Sequence, residues 1–580
     1  MRQFVFIVAA ALALAACKEY GGLPEGEPSD PKAGNPAGWE AMAANTGAAF
    51  GSIDLRYAHS EAPDTTTFVK EWEATAWRGE KVHAQLVVWS RKPLRRVSVD
   101  CHEALLSENG GTIPAANVSI GMLRYLLTDS LRRSGSSCGL PPLWERDSLL
   151  VADAIEPRSQ CSMKPFTVRP FWLSLTVPHD TPPGIYRGKA EVKADGLRFI
   201  LPFTVTVSER TLPPAPEWSF HLDLWQNPFS VSRYYGVEPW SNEHFTRLRP
   251  YMEMLAAAGQ KSVTVSMIHD PWNGQTYDIY YPMIRWIKHA DGGWSYDYSI
   301  YDRWVEFMES VGIKSVVNCY SMVPWNNRFY YYDEASGRDS VLVTKTGTAE
   351  YIAHWKPMLT DFAQHLRTKG WFHKTAIAMD ERPEADMKAV IALVRSVDPE
   401  FLISLAGNYH DPIRYDIYDY CIALAENYPV DLLRERLARG WPTTFYTCCA
   451  ERHPNTFTCS PPAEAAWMAW HAAAMGYSGY LRWAYNCWPR NPLHDTRFGP
   501  WTGGDTYLVY PGLRSSVRFE RLVEGIQNYE KVAILRQTLG ADERAVLEAA
   551  LEGFRVKDPA TVAATAAEHV RAAQKVVNSF

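Results

Sequence analysis

Two adjacent acidic residues, Asp380 and Glu381, follow a short apolar run in this sequence. Residues 375–379 have the length and composition of a buried strand, and residues 383–394 have the apolar spacing, early proline and early acids of an amphipathic helix. The pair is therefore predicted to lie in a loop that joins a strand to a helix. In α/β enzymes this end of the strands is where catalytic side chains gather.

Most enzymes that hydrolyse glycosides use a pair of carboxyl groups as their catalytic groups. Ordinary retaining and inverting enzymes hold them about 5 Å or ~6.5 to 9.5 Å apart across the bond, which consecutive residues can hardly do. A consecutive pair suits substrate-assisted catalysis, in which the 2-acetamido group of an N-acetylhexosamine attacks C1 and forms an oxazolinium ion. In that reaction Glu381 would be the general acid/base, and Asp380 would accept the acetamido N–H and stabilise the developing positive charge.

The same pair also has a purely structural interpretation. Asp380 could cap the following helix, and Glu381 could be a first-turn acid that the helix dipole favours. Polar and aromatic residues near other predicted strand ends favour the catalytic interpretation, because their convergence would build a binding site. The predicted substrate contacts are Trp225, His269, Asn318, Glu426, Tyr446, Trp483, Asn486 and Asp505.

The pattern of the chain changes near residue 212. Before it, short runs of β-branched and aromatic residues separated by turn signals predict a β-sandwich over 49–211. Beyond a proline-rich interruption, strand-like and helix-like segments alternate, which predicts a (β/α)8 barrel of the TIM type over 217–510. Residues 511–580 are predicted to form a small helical region. The eight strand-like runs begin near Phe220, Ser262, Ile313, Thr375, Phe401, Tyr420, Thr443 and Gly479.

Composition excludes some functions and favours others. With 580 residues, 46% hydrophobic and 21% charged, the chain is predicted to be globular with two or three domains. A net charge of −6 with interspersed signs argues against nucleic-acid binding. The 22 Trp and 30 Tyr residues exceed what a core requires, and flat aromatic faces commonly hold sugar rings, although most of them are expected to fill the core.

The N-terminus predicts export. Arg2 precedes an apolar run that is too short to span a bilayer, and the run ends in Leu14-Ala15-Ala16-Cys17, which resembles a bacterial lipobox. Residues 1–17 are therefore expected to be a lipoprotein signal, and Cys17 is expected to anchor the protein by lipid to the outer membrane of a Gram-negative bacterium. The periplasmic and surface sides both stay open. Residues 18–48 are rich in Gly, Pro and Glu and are predicted to be a flexible tether.

Nine further cysteines would remain in an oxidising compartment. One or two disulfides are expected, with Cys101, Cys138 and Cys161 as candidates, but the sequence does not give the pairing. Cys448, Cys449 and Cys459 lack the ligand spacing of a zinc site. Neither a metal nor a cofactor is predicted.

Several motifs of this sequence resemble glycoside hydrolase family 123. The resemblance covers residues 50–535 and is carried by the Asp380-Glu381 pair together with segments in the sandwich and near the C-terminus. These segments are Trp77-Arg78-Gly79-Glu80, Pro183-Gly184-Ile185-Tyr186-Arg187-Gly188, Gly504-Asp505, Leu508-Val509-Tyr510-Pro511-Gly512, Arg518-Phe519-Glu520 and Glu524-Gly525-Ile526.

The resemblance implies a retaining β-N-acetylgalactosaminidase with a sandwich ahead of a barrel, acting on a glycan or glycolipid by the acetamido-assisted mechanism. It implies Asp380 as the acetamido-orienting residue and Glu381 as the acid/base. Similarity to acetamido-assisted barrels generally implies that Tyr446 bonds the acetamido oxygen and that Trp483 walls the acetyl pocket. One departure is Gln527-Asn528, where the family pattern leads us to expect Glu-Asp.

Two other functions compete with this one. A barrel of the ordinary two-carboxylate type would use Glu381 as acid/base and Glu451, after the seventh strand, as a direct nucleophile. A surface lipoprotein that binds glycans without cleaving them would account for the lipobox and the aromatic residues, but not for the intact acidic pair.

Overall fold

The computed structural model describes residues 26–32, 34–130, 138–140 and 143–580. The predicted signal, Cys17 and the first part of the predicted tether lie outside these residues. Within them, no helix has the length and apolar character needed to cross a membrane.

The N-terminal part is a β-sandwich, as predicted. One sheet has the order β1-β3-β10-β7-β8, and the other has the order β2-β12-β11-β4-β9 with two short strands attached to its side. Alternating apolar side chains such as Leu86, Val88, Tyr186 and Val192 fill the space between the sheets. The strands are β1 (Thr46–Gly51), β2 (Trp72–Arg78), β3 (Lys81–Ser90), β4 (Leu94–Asp100), β5 (Leu105–Ser107), β6 (Thr112–Ile113), β7 (Val118–Asp129), β8 (Ser148–Glu156), β9 (Gln160–Met163), β10 (Thr167–Thr176), β11 (Gly184–Ala194) and β12 (Leu197–Thr211).

The prediction of a flexible tether over 18–48 is wrong for its described part. The Glu27 carboxylate receives two hydrogen bonds of 2.6 Å from the Arg169 guanidinium and one of 3.0 Å from the Tyr125 N–H. A short helix, α1 (Pro36–Glu40), buries Trp39 against the sandwich. The proline and glycine content suggested a solvated linker, but one bidentate ion pair and one buried indole attach this segment to the domain.

The second part is a barrel of eight parallel strands within the described residues, as predicted. Neighbouring strands follow the order β13-β24-β23-β22-β21-β20-β17-β14. These strands are β13 (His221–Leu224), β14 (Ser262–Ser266), β17 (Val316–Tyr320), β20 (Thr375–Asp380), β21 (Leu402–Gly407), β22 (Asp419–Ala423), β23 (Thr443–Tyr446) and β24 (Gly479–Arg482). The helices around it are α2 (Pro228–Tyr235), α3 (Asn242–Ala257), α4 (Ser299–Ser310), α5 (Ala349–Lys369), α6 (Glu384–Val397), α7 (Val430–Ala438) and α8 (Pro462–Met475).

Side chains complete the seam between β13 and β14. The backbone contributes one isolated bridge, between Leu222 and Gln260. The Gln260 side chain accepts from the Leu224 N–H at 3.0 Å, and the Gln226 side chain accepts from the Thr264 N–H at 2.9 Å. Two buried amide groups therefore take the place of strand-to-strand hydrogen bonds and nearly close the barrel.

A small mixed sheet, which the sequence did not predict, lies at the C-terminal end of the barrel; its outer strand pairs are antiparallel and its central pair, β15 and β18, is parallel. It is built from the long loops that follow β14 and β17, in the order β16-β15-β18-β19. Its strands are β15 (Arg285–Lys288), β16 (Trp294–Asp297), β18 (Arg328–Asp333) and β19 (Arg338–Val343). One face of this sheet packs on α5 through Trp286, Phe329 and their aromatic neighbours.

The predicted boundary at residue 510 is too early. Helix α9 (Val517–Thr538) follows β24 and packs along α8, so it completes the eighth strand-helix unit of the barrel. Its side chains are buried along most of its length, which a small surface cap would not require. Only α10 (Ala541–Leu551) and α11 (Pro559–Ser579) form the additional C-terminal region.

Buried ion pairs join the sandwich to α9. Asp153 of β8 lies 2.9 Å from the Arg518 guanidinium and 3.1 Å from that of Arg56. Lys531 Nζ lies 2.7 Å from a Glu80 carboxylate oxygen, and both side chains are almost fully buried. Removing one member of such a pair leaves a buried charge without compensation, so the two domains hold each other in one arrangement.

The departure at Gln527 belongs to this interface. The Gln527 side chain accepts from the Lys81 backbone N–H at 2.8 Å and donates to the Lys81 carbonyl at 2.9 Å. A glutamate could accept the first hydrogen bond but could not donate the second. The change from the expected acid therefore fits the edge of the sandwich.

Candidate active site

Asp380 ends β20 as a buried carboxylate with two different oxygens. Its Oδ2 accepts a hydrogen bond of 2.8 Å from Trp325 Nε1. The Arg382 guanidinium lies 4.0 Å above the Trp325 ring and also donates to the Asp380 backbone carbonyl. Trp325 therefore orients the carboxylate, while Arg382 packs on the Trp325 ring and bonds the Asp380 backbone.

The other oxygen of Asp380 is available for a ligand. Oδ1 is buried and has no hydrogen-bond partner among the described residues. Burial raises the pKa of Asp380 to about 6 and Glu381 adds to this rise, while Arg382 and the Trp325 N–H act in the opposite direction. An ionised, buried oxygen without a partner is an acceptor that a ligand N–H could satisfy.

Glu381 follows in a backbone conformation that few residues adopt. Its φ is 41°, and its N–H donates to the Ala406 carbonyl at 2.7 Å. A Cβ on the neighbouring Gly407 would lie 2.9 Å from the Glu381 nitrogen, so only glycine allows this approach. The strained turn directs the two consecutive side chains differently, leaving Asp380 buried and Glu381 exposed.

Helix α6 does not use Asp380 as its cap. The residue at the N-cap position is Pro383, three residues further on. The capping interpretation of Asp380 is therefore wrong, although Glu384 and Asp386 do lie in the first turn as the sequence predicted.

Tyr446, at the end of β23, contacts Glu381 directly. Its hydroxyl donates to Glu381 Oε1 at 2.7 Å. Burial and the adjacent Glu381 raise the pKa of Tyr446 far above its usual range, so the hydroxyl stays protonated and remains a donor. The contact brings together two predicted site residues that are 65 positions apart.

Aromatic rings line the centre of the barrel end beside the acidic pair. Trp225 packs against Tyr320 and Trp272 with ring centroids 4.6 and 5.1 Å apart, and the Trp483 and Tyr446 side chains belong to the same cluster. The inward side chains next to the pair on β20 and β21 are small, namely Ala378 and Ala406. A flat apolar wall beside two carboxylates suits a sugar ring with an apolar substituent.

Asp505 supports this wall from behind. It is buried, lies 2.7 Å from the Arg482 guanidinium, and accepts from Trp483 Nε1 at 3.2 Å. Its position makes it a residue that orients Trp483, whereas the sequence predicted a direct substrate contact.

Three other predicted contacts bond within the protein. Asn318 lies one inward position below the end of β17, where its amide donates to Asp223 and Asp419 at 3.3 Å. Asn486 is buried and exchanges two hydrogen bonds with the Asn227 backbone. Glu426 is half-buried and accepts from the Tyr409 N–H. His269, in contrast, is half-exposed between the rings of Tyr281 and Tyr330.

Glu451, the alternative nucleophile, caps its own loop. Its Oε2 accepts from the Cys448 N–H at 2.9 Å, and burial raises the pKa of Glu451. Cys449, which follows Cys448 in the same loop, forms a disulfide with Cys138 of the sandwich, across 311 positions of sequence. The expected group of Cys101, Cys138 and Cys161 therefore included one disulfide cysteine but not its partner, because only the fold brings the two domains together.

Sequence reasoning missed Trp325, Arg382 and Gly407. Arg382 adjoins the pair and could have been noticed, but nothing local shows that it lies over an indole. Across the described ranges, no group of three or more His, Cys, Asp and Glu side chains is arranged to hold a metal ion.

Comparison with known proteins adds a family to this geometry. The family model of the glycoside hydrolase 123 catalytic domain matches residues 225–535, and that of the glycoside hydrolase 123 N-terminal domain matches residues 50–194. A comparison with curated proteins finds no match.

Among solved structures, a family 123 glycoside hydrolase from Clostridium perfringens, described for glycolipid glycan hydrolysis, is similar with a TM-score of 0.85 and 27% identity. The similarity covers 93% of this chain and 98% of that one. Two more distant matches are a Parabacteroides merdae β-glucuronidase (TM-score 0.29, 11% identity, 77% of this chain and 53% of that one) and a termite-gut GH10 xylanase (TM-score 0.30, 11% identity, 80% and 100%). Because the catalytic-domain match alone spans more than half of the chain, this protein belongs to glycoside hydrolase family 123 and is a glycoside hydrolase.

Proposed function

We propose that this protein is a retaining hydrolase that releases β-linked N-acetylgalactosamine, or a related N-acetylhexosamine, by substrate-assisted catalysis. The observation that carries the proposal is the division of roles at Asp380. Trp325 holds Oδ2, while Oδ1 is buried without a partner among the described side chains and backbone groups. That arrangement suits an acceptor for the N–H of a 2-acetamido group.

In the first step the acetamido oxygen attacks C1 and the bond to the leaving group breaks. Glu381, exposed toward the cleft, gives its proton to the leaving oxygen. Ionised Asp380 accepts the acetamido N–H and stabilises the positive charge that spreads over the oxazolinium ring. Burial strengthens this electrostatic effect because little water screens the carboxylate.

In the second step water attacks C1 from the side that the leaving group occupied. Glu381 takes a proton from that water, the C1–O bond to the acetamido oxygen breaks, and the sugar leaves with its original configuration. Tyr446 donates to Glu381 before a sugar binds and can turn its hydroxyl to the acetamido oxygen afterwards. Trp483, held by Asp505, walls the acetyl group.

The natural substrate is proposed to be a glycan or glycolipid. Support comes from the similar Clostridium perfringens enzyme and its connection with glycolipid glycan hydrolysis. A lipid anchor at Cys17 would hold the enzyme at the outer membrane. Incorporation of labelled palmitate into wild type, and its loss in Cys17→Ser, would test the anchor.

Release of p-nitrophenol from the β-GalNAc, β-GlcNAc and β-Gal glycosides tests the reaction. Wild type should cleave only the 2-acetamido sugars, a thiazoline that mimics the oxazoline should inhibit it, and Asp380→Asn and Glu381→Gln should lose activity. The ratio of the first two substrates gives the preference at the 4-hydroxyl.

Other outcomes would favour the competing functions. Equal cleavage of the β-Gal glycoside would contradict acetamido assistance, and a trapped glycosyl ester on Glu451 would then identify a direct nucleophile. Near-normal turnover by Glu451→Gln would exclude that nucleophile. Glycan binding by well-folded protein with no sugar released from natural glycans would favour a binding protein.

A further inference from the structure

Exposed aromatic side chains lead outward from the acidic pair over the two loops that form the small sheet. We name Trp325, His269, Tyr330 and Tyr281 the aromatic strip. Trp325 is 40% exposed, Tyr330 is 37% exposed and Tyr281 is 50% exposed. Exposing a large apolar ring to water is unfavourable. Several such rings grouped on one surface therefore indicate a binding site, whereas single exposed rings do not.

The strip is continuous with the catalytic centre. Its inner member, Trp325, bonds Asp380 through the indole N–H. The backbone N–H of Trp325 donates to the Pro271 carbonyl at 3.0 Å, which ties the loop after β17 to the loop that carries His269. Trp325 therefore links Asp380 to the loop that carries His269.

Three rings of the strip are in contact through His269. The His269 centroid lies 4.9 Å from that of Tyr330 and 5.6 Å from that of Tyr281, in edge-to-face contacts. The Tyr281 ring centroid in turn lies 5.2 Å from that of Phe229, in an edge-to-face contact. These contacts fix the rings before any ligand arrives, and a rigid aromatic surface loses little conformational entropy on binding.

Polar groups beside the strip favour a sugar over a purely apolar partner. The side-chain amides of Asn326 and Asn273 lie at the solvent boundary of the same two loops, 3.3 Å apart. The partly exposed Asp270 carboxylate accepts a hydrogen bond of 3.0 Å from the Gly274 N–H. Rings flanked by amide and carboxylate groups match a pyranose, which has apolar C–H faces and a rim of hydroxyls.

We propose that the aromatic strip binds the sugar residues that adjoin the cleaved hexosamine in an oligosaccharide substrate. The inference rests on the proposed hexosaminidase function, since it assigns the rest of the same substrate. The strip would then make the enzyme prefer an extended glycan to a small aryl glycoside. Its Tyr281 and Tyr330 side chains would be specificity residues, without a part in bond breaking.

The test compares kcat/KM for a free oligosaccharide that ends in the cleaved β-N-acetylhexosamine with kcat/KM for the aryl glycoside. Tyr330→Ala and Tyr281→Ala should each lower the ratio of the two values by about 3- to 10-fold, the size expected for one aromatic contact. Tyr330→Phe should restore the ratio, because stacking needs the ring and not the hydroxyl.

Val341 provides the matched control. It lies directly opposite Tyr330 on β19 and is 40% exposed, so it shares the surface but has no ring. Val341→Ala should leave the ratio unchanged. An equal fall of the ratio in Val341→Ala would overturn the proposal, because it would indicate a general apolar contact such as a lipid surface. A ratio that stays at the wild-type value in both tyrosine variants would overturn it as well.

Failure of the proposed function can be told apart from failure of this inference. If wild type cleaves no 2-acetamido sugar, binding of the same oligosaccharide by the intact Glu381→Gln protein is measured by calorimetry, with and without Tyr330→Ala. Weaker binding in the double variant by a similar factor would support the strip by itself. Equal binding would refute it.

Discussion

Replacing Trp325 by Phe removes one hydrogen bond and leaves most of the surrounding structure in place. The substitution deletes the N–H that reaches Asp380 Oδ2 at 2.8 Å and keeps an aromatic ring beneath the Arg382 guanidinium. The expected result is a change in the proton affinity of Asp380, because its ionised form loses a donor.

The size of this change follows from the energy of a hydrogen bond to a charged group, about 1.5 to 3 kcal/mol. Since one pKa unit corresponds to about 1.4 kcal/mol, the pKa of Asp380 should rise by about one to two units. The wild-type value is about 6, so the variant should titrate near pH 7 to 8. Only the ionised carboxylate accepts the acetamido N–H. As the pH is lowered, the variant should therefore lose activity at a higher pH than the wild type does.

The assay is the pH profile of kcat/KM on an aryl 2-acetamido glycoside, which reports groups of the free enzyme. The acidic limb should shift upward in Trp325→Phe and stay in place in Trp501→Phe, a control whose indole donates to the Gln275 carbonyl instead of a carboxylate. A Trp325→Phe enzyme that is slower at every pH with an unmoved acidic limb would refute the reasoning, since that result indicates a packing defect alone.

Three further substitutions test other contacts of the site. Tyr446→Phe removes the 2.7 Å hydrogen bond to Glu381 and should lower kcat by about 10- to 100-fold; an unchanged kcat would show that the hydroxyl is not used. Gly407→Ala places a Cβ 2.9 Å from the Glu381 nitrogen and should lower both kcat and the unfolding temperature, at a cost of about 1 to 3 kcal/mol; wild-type values of both would mean that the turn relaxes freely. Asp380→Asn should be inactive yet more stable at pH 7, because the raised pKa of the native carboxyl makes its ionisation destabilise the fold. Denaturant unfolding should show a gain of about 1 to 3 kcal/mol at neutral pH that shrinks as the pH falls toward 4, and a gain independent of pH would contradict this origin.

The strand and helix pattern made the barrel predictable, but not how it closes. Alternation of apolar runs with amphipathic segments located all eight strands, because parallel strands are buried on both faces. The seam between β13 and β14 depends on the side chains of Gln226 and Gln260, and a glutamine in a loop carries no sign of such a task. The strands of the small sheet are as long as those of the barrel, but they were missed because they are largely exposed and lack continuous apolar runs.

The site was predictable where one strand end determined it. The position of Asp380 and Glu381 between a buried strand and a helix was predictable from the pattern of apolar residues around them, while their catalytic roles stay a prediction. Asn318 was predicted to contact substrate, but its amide donates to Asp223 and Asp419 inside the barrel, and the sequence does not show which side chains lie opposite it there. The contact between Trp325 and Asp380 spans 55 positions and the disulfide between Cys138 and Cys449 spans 311, and nothing in the local sequence indicates either pairing.

The buried charges shared by the sandwich and α9 limit how this architecture can change in evolution or in the laboratory. A barrel expressed without its sandwich would leave Arg518 and Lys531 without their carboxylate partners, because Asp153 and Glu80 belong to the sandwich. We therefore expect the sandwich and the barrel to fold and function as one unit. Exchange of sandwiches between distant relatives would succeed only where both sides of these pairs travel together.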